Sequence, residues 1–416
     1  MGNILFDPTP VDYPDYSIPC PADIIQKRLL NYNIDNDSKM DLENNEDNNV
    51  KNTLPRSKKV DGRFVLDEKH FPNLDHDGSF KYFWKWRRTI EEKVIVPPQN
   101  ELEEKLPVLP IDKDKLENPP QNKMQVTWLG HASVLVQWDG WNVVADPIFS
   151  HRCAPVQFAG PARVRPSPVK NVALDLPQKI DVIVISHNHY DHLDYQSVQA
   201  LAKRKPAPIF FVPLGMKSWM TSCGVRNCVE LDWADEALII DEDFAMYNND
   251  DNYNKLNNDK KIKNRPPLTI GCLPCQHWCA RTPTDRNKCL WSSWICFTNN
   301  AKYFFGGDTG YCGEIFQKVG MKYKPIHFSA IPIGAYGSVS ERWFHKVSHM
   351  NPDEAVKCHN NIGSKKSLGI HWGTFQLTAE DLFEPPVKLN EAKKANNVDE
   401  NDFFVMNHGE TVSFMP

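Results

Sequence analysis

Residues 185–194 read Ile-Ser-His-Asn-His-Tyr-Asp-His-Leu-Asp and continue the short apolar run that begins at Val182. Four metal-ligand types, His187, His189, Asp191 and His192, fall within six residues at the end of an expected buried strand. Neutral imidazoles and a carboxylate suit zinc and similar divalent ions. The i, i+2 histidines leave the strand on one side, and the following turn brings Asp191 and His192 round to face a second position. Two positions roughly 3.5–4 Å apart are the spacing of two-metal hydrolases. This segment points to a metal-dependent hydrolase rather than a binding module.

Composition sets the outer limits. The 416 residues suffice for one large α/β domain with extensions, or for two domains. A net charge of -5 gives no global basic character, so nucleic acid is not an expected partner. No 18-residue apolar stretch is present, hence no transmembrane helix is expected. The start, Met-Gly-Asn-Ile-Leu-Phe, is close to a myristoylation site, but Phe6 stands where Ser or Thr is needed. With no basic and apolar leader, the chain is expected to be intracellular and not secreted. Its eleven cysteines then read as free thiols in a reducing compartment. Cys272, Cys275 and Cys279 lack a second CxxC pair, so buried thiols are expected there rather than a separate metal site.

Two asparagine-rich tracts, about 31–52 and about 247–264, hold too little apolar surface to offset ordering entropy and read as loops or disorder. They divide the chain into an N-terminal arm, 1–123, and a catalytic domain, 124–416, that carries the second tract as an insertion. Strands are expected over Met124–Trp138 and Trp141–Ala145 around an Asp139-Gly140 hairpin turn. Further strands are expected at Ile180–Ile185, Ile209–Val212, Ala237–Ile240, Leu268–Leu273, Ala301–Phe305, Phe328–Ile331 and Ser367–Ile370. Helices are expected at Tyr195–Arg204, at Leu214–Cys223, and after Asn351, where Asn351, Pro352, Asp353 and Glu354 form a start signal. Strands followed by helices imply an α/β fold, an αββα four-layer sandwich with a loosely structured N-terminal arm.

Strand ends then supply more ligands. His277 ends the strand containing Cys272, Asp308 follows Phe304-Phe305-Gly306-Gly307, and His371 ends Ser-Leu-Gly-Ile. Each alone reads as a structural residue; His, Asp and His together at strand ends complete the set begun by the HxHxDH run.

With those residues in place, the chain resembles the metallo-β-lactamase superfamily. Within it, Thr127–Ser133, Asp146–Phe149, Gln276–Cys279, Gly307–Cys312, Pro332–Tyr336, His371–Phe375 and Glu384–Leu389 resemble the N-acyl-phosphatidylethanolamine-hydrolysing phospholipase D family. The resemblance runs from about Met124 to the C-terminus; the arm and both tracts lie outside it, and Gly337–Ser340 lengthens a loop. It implies two zinc ions, one held by His187, His189 and His277, the other by Asp191, His192 and His371, with Asp308 bridging. It implies that a hydroxide between them attacks the phosphorus of a phosphodiester, releasing an N-acylethanolamine and leaving phosphatidic acid. Asp308 and His349 are then the candidates for direct participation, and Tyr190, His349 and Arg281 for substrate contact. His349 would bind the phosphate or protonate the leaving group, and Arg281 would face the phosphate. Asp146 would accept a hydrogen bond from the ligand loop, and His131 would support the site or serve the fold. Ala280 replaces a base, which argues against steroid-type modulators. The implied partner is a phospholipid at a membrane surface, on Golgi or endosomal membranes, and a homodimer is compatible with it. Leu214–Met220 and Phe80–Arg88 are the expected membrane-facing elements. The rival reading is a soluble phosphodiesterase or nuclease with the same ligands and a non-lipid substrate.

Overall fold

The computed structural model describes residues 20–26, 53–71, 74, 82, 85, 88, 95–241 and 265–416. Both asparagine-rich tracts lie outside them, as does the Phe80–Arg88 segment apart from Tyr82, Lys85 and Arg88.

Two seven-stranded sheets face each other among the described residues. A small hairpin, β1 (Lys58–Val60) and β2 (Arg63–Val65), forms a two-stranded sheet of its own. The first sheet is built from β3 (Met124–Gly130), β4 (Ser133–Trp138), β5 (Trp141–Ala145), β6 (Val182–Val184), β7 (Ile209–Pro213), β8 (Cys228–Leu231) and β16 (Thr411–Phe414). The second holds β9 (Glu236–Ile239), β10 (Leu268–Leu273), β11 (Ser293–Phe297), β12 (Lys302–Phe305), β13 (Ile326–Pro332), β14 (Ser364–Ile370) and β15 (Phe403–Phe404). Their orders are β16-β3-β4-β5-β6-β7-β8 and β15-β14-β13-β12-β11-β10-β9. Besides a helical stretch at 21–26, the described residues form the helices α1 (Gln99–Lys105), α2 (Lys113–Glu117), α3 (Tyr195–Ala202), α4 (Lys217–Ser222), α5 (Gly313–Tyr323), α6 (Arg342–His345), α7 (Pro352–Ile362) and α8 (Glu384–Ala395).

Every residue of β3, β4, β6 and β7 is buried, which a sheet covered on both faces requires. Inward side chains, Trp128, Val143, Val184, Ile270, Trp294 and Phe305 among them, form the main core. Val198 and Leu201 of α3 join Ile183 and Val212 in a second core. Of the arm, Cys20, Ala22, Ile25, Leu54, Phe64 and Phe71 are buried in the main core as well.

The sequence departs from the structure at particular places. The expected strand Met124–Trp138 is two strands, because Gly130 and His131 take positive φ (98° and 54°) and turn the chain. β1, β2, β8, β11, β15 and β16 are not among the expected strands. α7 starts as expected: the Asn351 side chain accepts from the Glu354 N–H and Glu354 answers with the reciprocal capping bond. The expected membrane-facing helix packs inward instead. Met216 and Met220 of this segment are fully buried in the core under the first sheet, and Trp219 is half-buried against it. Apolar spacing on so short a helix is satisfied by the protein itself.

Candidate metal centre

Loops at the ends of strands from both sheets meet at one point. After β6, the Ser186 N–H donates to Asp146 Oδ1 at 2.7 Å, and the Ser186 hydroxyl donates to the other oxygen of that carboxylate. His187 and His189 then leave the strand, and the His192 N–H folds back to the His189 carbonyl at 3.1 Å. That turn carries Asp191 and His192 to the second position.

The first group is His187, His189 and His277. His187 Nε2 lies 2.8 Å from His189 Nδ1, and His277 Nε2 lies 3.2 Å from the same atom. His277 Nδ1 donates to the Ser348 carbonyl at 3.0 Å, which makes its Nε2 a bare lone pair. His187 Nδ1 faces the Ser186 hydroxyl at 2.9 Å, whose proton goes to Asp146, so His187 Nε2 is bare too. A single proton on His189 could serve only one of them; a cation satisfies all three. Burial, with the neighbouring imidazoles, holds His187 well below the usual histidine range, His189 down to about 3 and His277 to about 4. They are neutral donors, the form that binds metal.

The second group is Asp191, His192 and His371, with His131 beside it. Asp191 Oδ2 stands 3.4 Å from His192 Nε2 and 3.3 Å from His371 Nε2. His192 Nδ1 donates to Asp146 Oδ2 at 2.6 Å, so its Nε2 also faces inward. His131 Nε2 approaches Asp191 Oδ2 at 3.0 Å and orients that carboxylate. Asp308 touches both groups: Oδ1 is 3.0 Å from His371 Nε2, while Oδ2 is 3.1 Å from His192 Nε2 and 3.8 Å from His277 Nε2. Burial alone would raise Asp191 and Asp308, yet the surrounding imidazoles hold both well below the usual carboxylate range. Conversely, burial would lower His371, but Asp308 and Asp191 lift it to about 9. The same carboxylates, with Asp146, raise His192 well above the usual histidine range, so His192 and His371 carry protons that a cation would displace. Two anionic carboxylates among five imidazoles are a donor set that fits two divalent cations.

His349 lines the same space. Its Nδ1 is 3.8 Å from Asp308 Oδ2, buried and without a hydrogen-bond partner. Burial, only partly opposed by Asp308, keeps the ring neutral. Tyr190 and Arg281 are joined to each other and to the ligand loop. The Tyr190 hydroxyl donates to the Arg281 carbonyl at 3.0 Å. Arg281 Nη1 donates to the carbonyls of Asn188 (3.0 Å) and Leu193 (2.7 Å), and its guanidinium stands over the rings of Tyr190 and Trp219. Through Nη1, Arg281 therefore ties down the ligand loop. Sequence reasoning missed Ser186 and Gln276. Gln276 Nε2 donates to the Val347 carbonyl at 3.0 Å and so joins two loops of the site, a pairing that no local motif announces. All eleven cysteines are free, and Cys272, Cys275 and Cys279 are fully buried as expected.

Residues 141–372, more than half of the chain, match the β-lactamase superfamily domain. The chain is 38% identical over 357 residues to N-acyl-phosphatidylethanolamine-hydrolyzing phospholipase D 1 of Caenorhabditis elegans, covering 84% of this chain and 92% of that protein. It belongs to that family of the β-lactamase superfamily. A second member of this phospholipase D family, the mitochondrial protein of Saccharomyces cerevisiae, is 33% identical over 265 residues, covering 63% of this chain and 50% of its own. A solved structure of a possible metal-dependent hydrolase from Veillonella parvula matches 70% of this chain and 99% of its own, with a TM-score of 0.50 and 16% identity. That likeness is one of fold. As a member of this phospholipase D family with such a donor set, the chain is a metal-dependent hydrolase.

Proposed function

We propose that this chain is a zinc-dependent phospholipase D that hydrolyses N-acyl-phosphatidylethanolamines at a membrane surface, giving N-acylethanolamines and phosphatidic acid. The observation that carries the reading is Asp308, whose two carboxylate oxygens reach both ligand groups at once. The names of the worm and yeast relatives supply the substrate class. His187, His189 and His277 would hold one zinc, and Asp191, His192 and His371 the other, with Asp308 shared. Such a pair supplies an activated water near neutral pH and charge neutralisation at the phosphate.

The chain's own residues do the rest. Asp146 fixes His192 through Nδ1 and Ser186 through its amide, so both ends of the ligand turn are oriented by one buried carboxylate. His131 fixes Asp191. The neutral His349, with an unpaired ring nitrogen beside Asp308, is placed to hydrogen-bond the phosphate or the departing oxygen. No helix of the described residues is long and apolar enough to cross a membrane, so approach to the lipid would be peripheral. The yeast relative is named mitochondrial, and an endomembrane location for this chain remains part of the proposal.

Purified protein given N-acyl-phosphatidylethanolamine in vesicles should hydrolyse it far faster than bis(p-nitrophenyl) phosphate. In oxygen-18 water the label should enter phosphatidic acid, because attack is at phosphorus. The reverse substrate preference would favour a soluble phosphodiesterase, and label in the N-acylethanolamine would overturn the mechanism.

A further inference from the structure

His349 reaches the metal groups on a segment that is held from two sides. On one side Gln276 Nε2 and His277 Nδ1 bind the carbonyls of Val347 and Ser348, each at 3.0 Å. On the other, the Arg342 guanidinium divides its fork. Nη1 donates to the His349 carbonyl at 2.9 Å, and Nη2 pairs with the Glu354 carboxylate. That carboxylate is itself fixed, since it accepts from the Asn351 N–H at 3.0 Å as half of the capping box of α7. A continuous chain of contacts thus runs from the start of α7 through Glu354 and Arg342 to the backbone of His349. The His349 ring nitrogen that faces Asp308 has no hydrogen bond of its own, so the ring's place depends strongly on how its backbone is held.

We propose that Arg342, braced by Glu354, is a positioning residue that sets the His349 ring beside Asp308 for reaction. This rests on the reading that His349 touches substrate. A planar fork can bond a carbonyl and a carboxylate at the same time, whereas a lysine ammonium on its flexible stem lacks that geometry. Releasing the His349 carbonyl lets its peptide rotate and carries the ring away from the reacting phosphate; misplacement of about 1 Å costs up to roughly a hundredfold in rate. The side chains of Arg342 and Glu354 are 22% and 25% exposed, so truncating Arg342 opens a place to solvent rather than a core cavity.

The test compares Arg342→Ala, Arg342→Lys, His349→Ala and the double variant Arg342→Ala/His349→Ala in the full chain, on N-acyl-phosphatidylethanolamine vesicles, with bound metal counted for each. Arg342→Ala and Arg342→Lys should lower kcat by about ten- to a hundredfold with KM and metal content nearly unchanged. In the His349→Ala background the Arg342 change should add almost nothing, because its effect runs through a ring that is no longer there. Multiplying losses in the double variant, or full activity in Arg342→Lys, would overturn the proposal while leaving the role of His349 intact. Full activity in His349→Ala would overturn the reading of His349 and the proposal with it. Should Arg342→Ala fail to fold, Arg342→Lys carries the same comparison, with a matching Arg342→Lys/His349→Ala double.

Discussion

At the scale of single residues, each ligand is defined twice, once by what it offers inward and once by what holds its far side. His192 offers Nε2 because Nδ1 is bound to Asp146, and His277 offers Nε2 because Nδ1 is bound to the Ser348 carbonyl. The inward half was readable from spacing and strand-end position; the outward half was not, since Ser348 lies 71 residues from His277 in the chain. The loop-holding contacts of Arg281 were unreadable for the same reason. A guanidinium suggests phosphate, but its actual acceptors, the Asn188 and Leu193 carbonyls, are identified only by the fold. Two predictions belong here. Metal analysis should find about two zinc per chain, and Asp308→Asn should abolish most turnover and the second equivalent while leaving the melting temperature of the metal-free protein near that of the parent. Asp146→Asn would put an amide N–H₂ or a weaker acceptor against three donors, so zinc affinity should fall about 10–100-fold, read by chelator competition. Unchanged affinity would mean that the turn holds its own shape.

Among the elements, local signals served best where they were strongest. The Asn351 capping box, the Asp139-Gly140 hairpin and the apolar strand Leu268–Leu273 stand where the pattern puts them. β11, Ser-Trp-Ile-Cys-Phe, escaped because it is buried on both faces and shows no alternation. α4 was misjudged because a Met-Trp-Met spacing fits a membrane surface and a protein core equally well. With Met220 fully buried, Met220→Ala should cost about 2–5 kcal/mol of stability, seen in denaturant melts. Its residual activity should fall equally on vesicles and on a short-chain monomeric substrate; a loss confined to vesicles would restore the membrane role. The loop before α6 carries a separate acid-sensitive feature. Burial would raise the Glu341 carboxyl, but His345 and the Ala379 and Ser338 amides hold it down to about 2. Its folded value lies below its unfolded one, so its stabilisation is complete above the ordinary value of 4.5 and fades as pH falls towards 2. The difference in melting temperature between the parent and Glu341→Gln should therefore be largest near neutral pH and shrink below about pH 4.5. A constant difference would show that the charge of Glu341 plays no part.

For the whole molecule, the two sheets repeat one plan. From β3 to β8 the pairings run antiparallel, antiparallel, then parallel three times, and β10 to β15 follow the same order. The repeat sets Asp146, after β5, in the place that Asp308 takes after β12, and one carboxylate supports the ligands while the other joins them. The sequence made the strands legible but not this pairing, which depends on contacts far apart in the chain. The same topology decides what the second asparagine-rich tract can matter to. It connects β9 to β10, and those strands are antiparallel neighbours, with Ile239 opposite Leu268. The strand ends it joins are therefore already adjacent, and Arg265, just before β10, is pinned at 2.8 Å to the buried Asp181. Removing Asn248–Lys263 shortens the connection by somewhat more than half, which changes closure entropy by only about 0.8 kcal/mol. Zinc content and kcat of the deletion variant should match the parent within a factor of about two, since that energy difference is small and acts on folding stability rather than on the site. Failure of the shortened chain to fold, or loss of activity with metal retained, would make the tract a working part of the enzyme rather than an insertion.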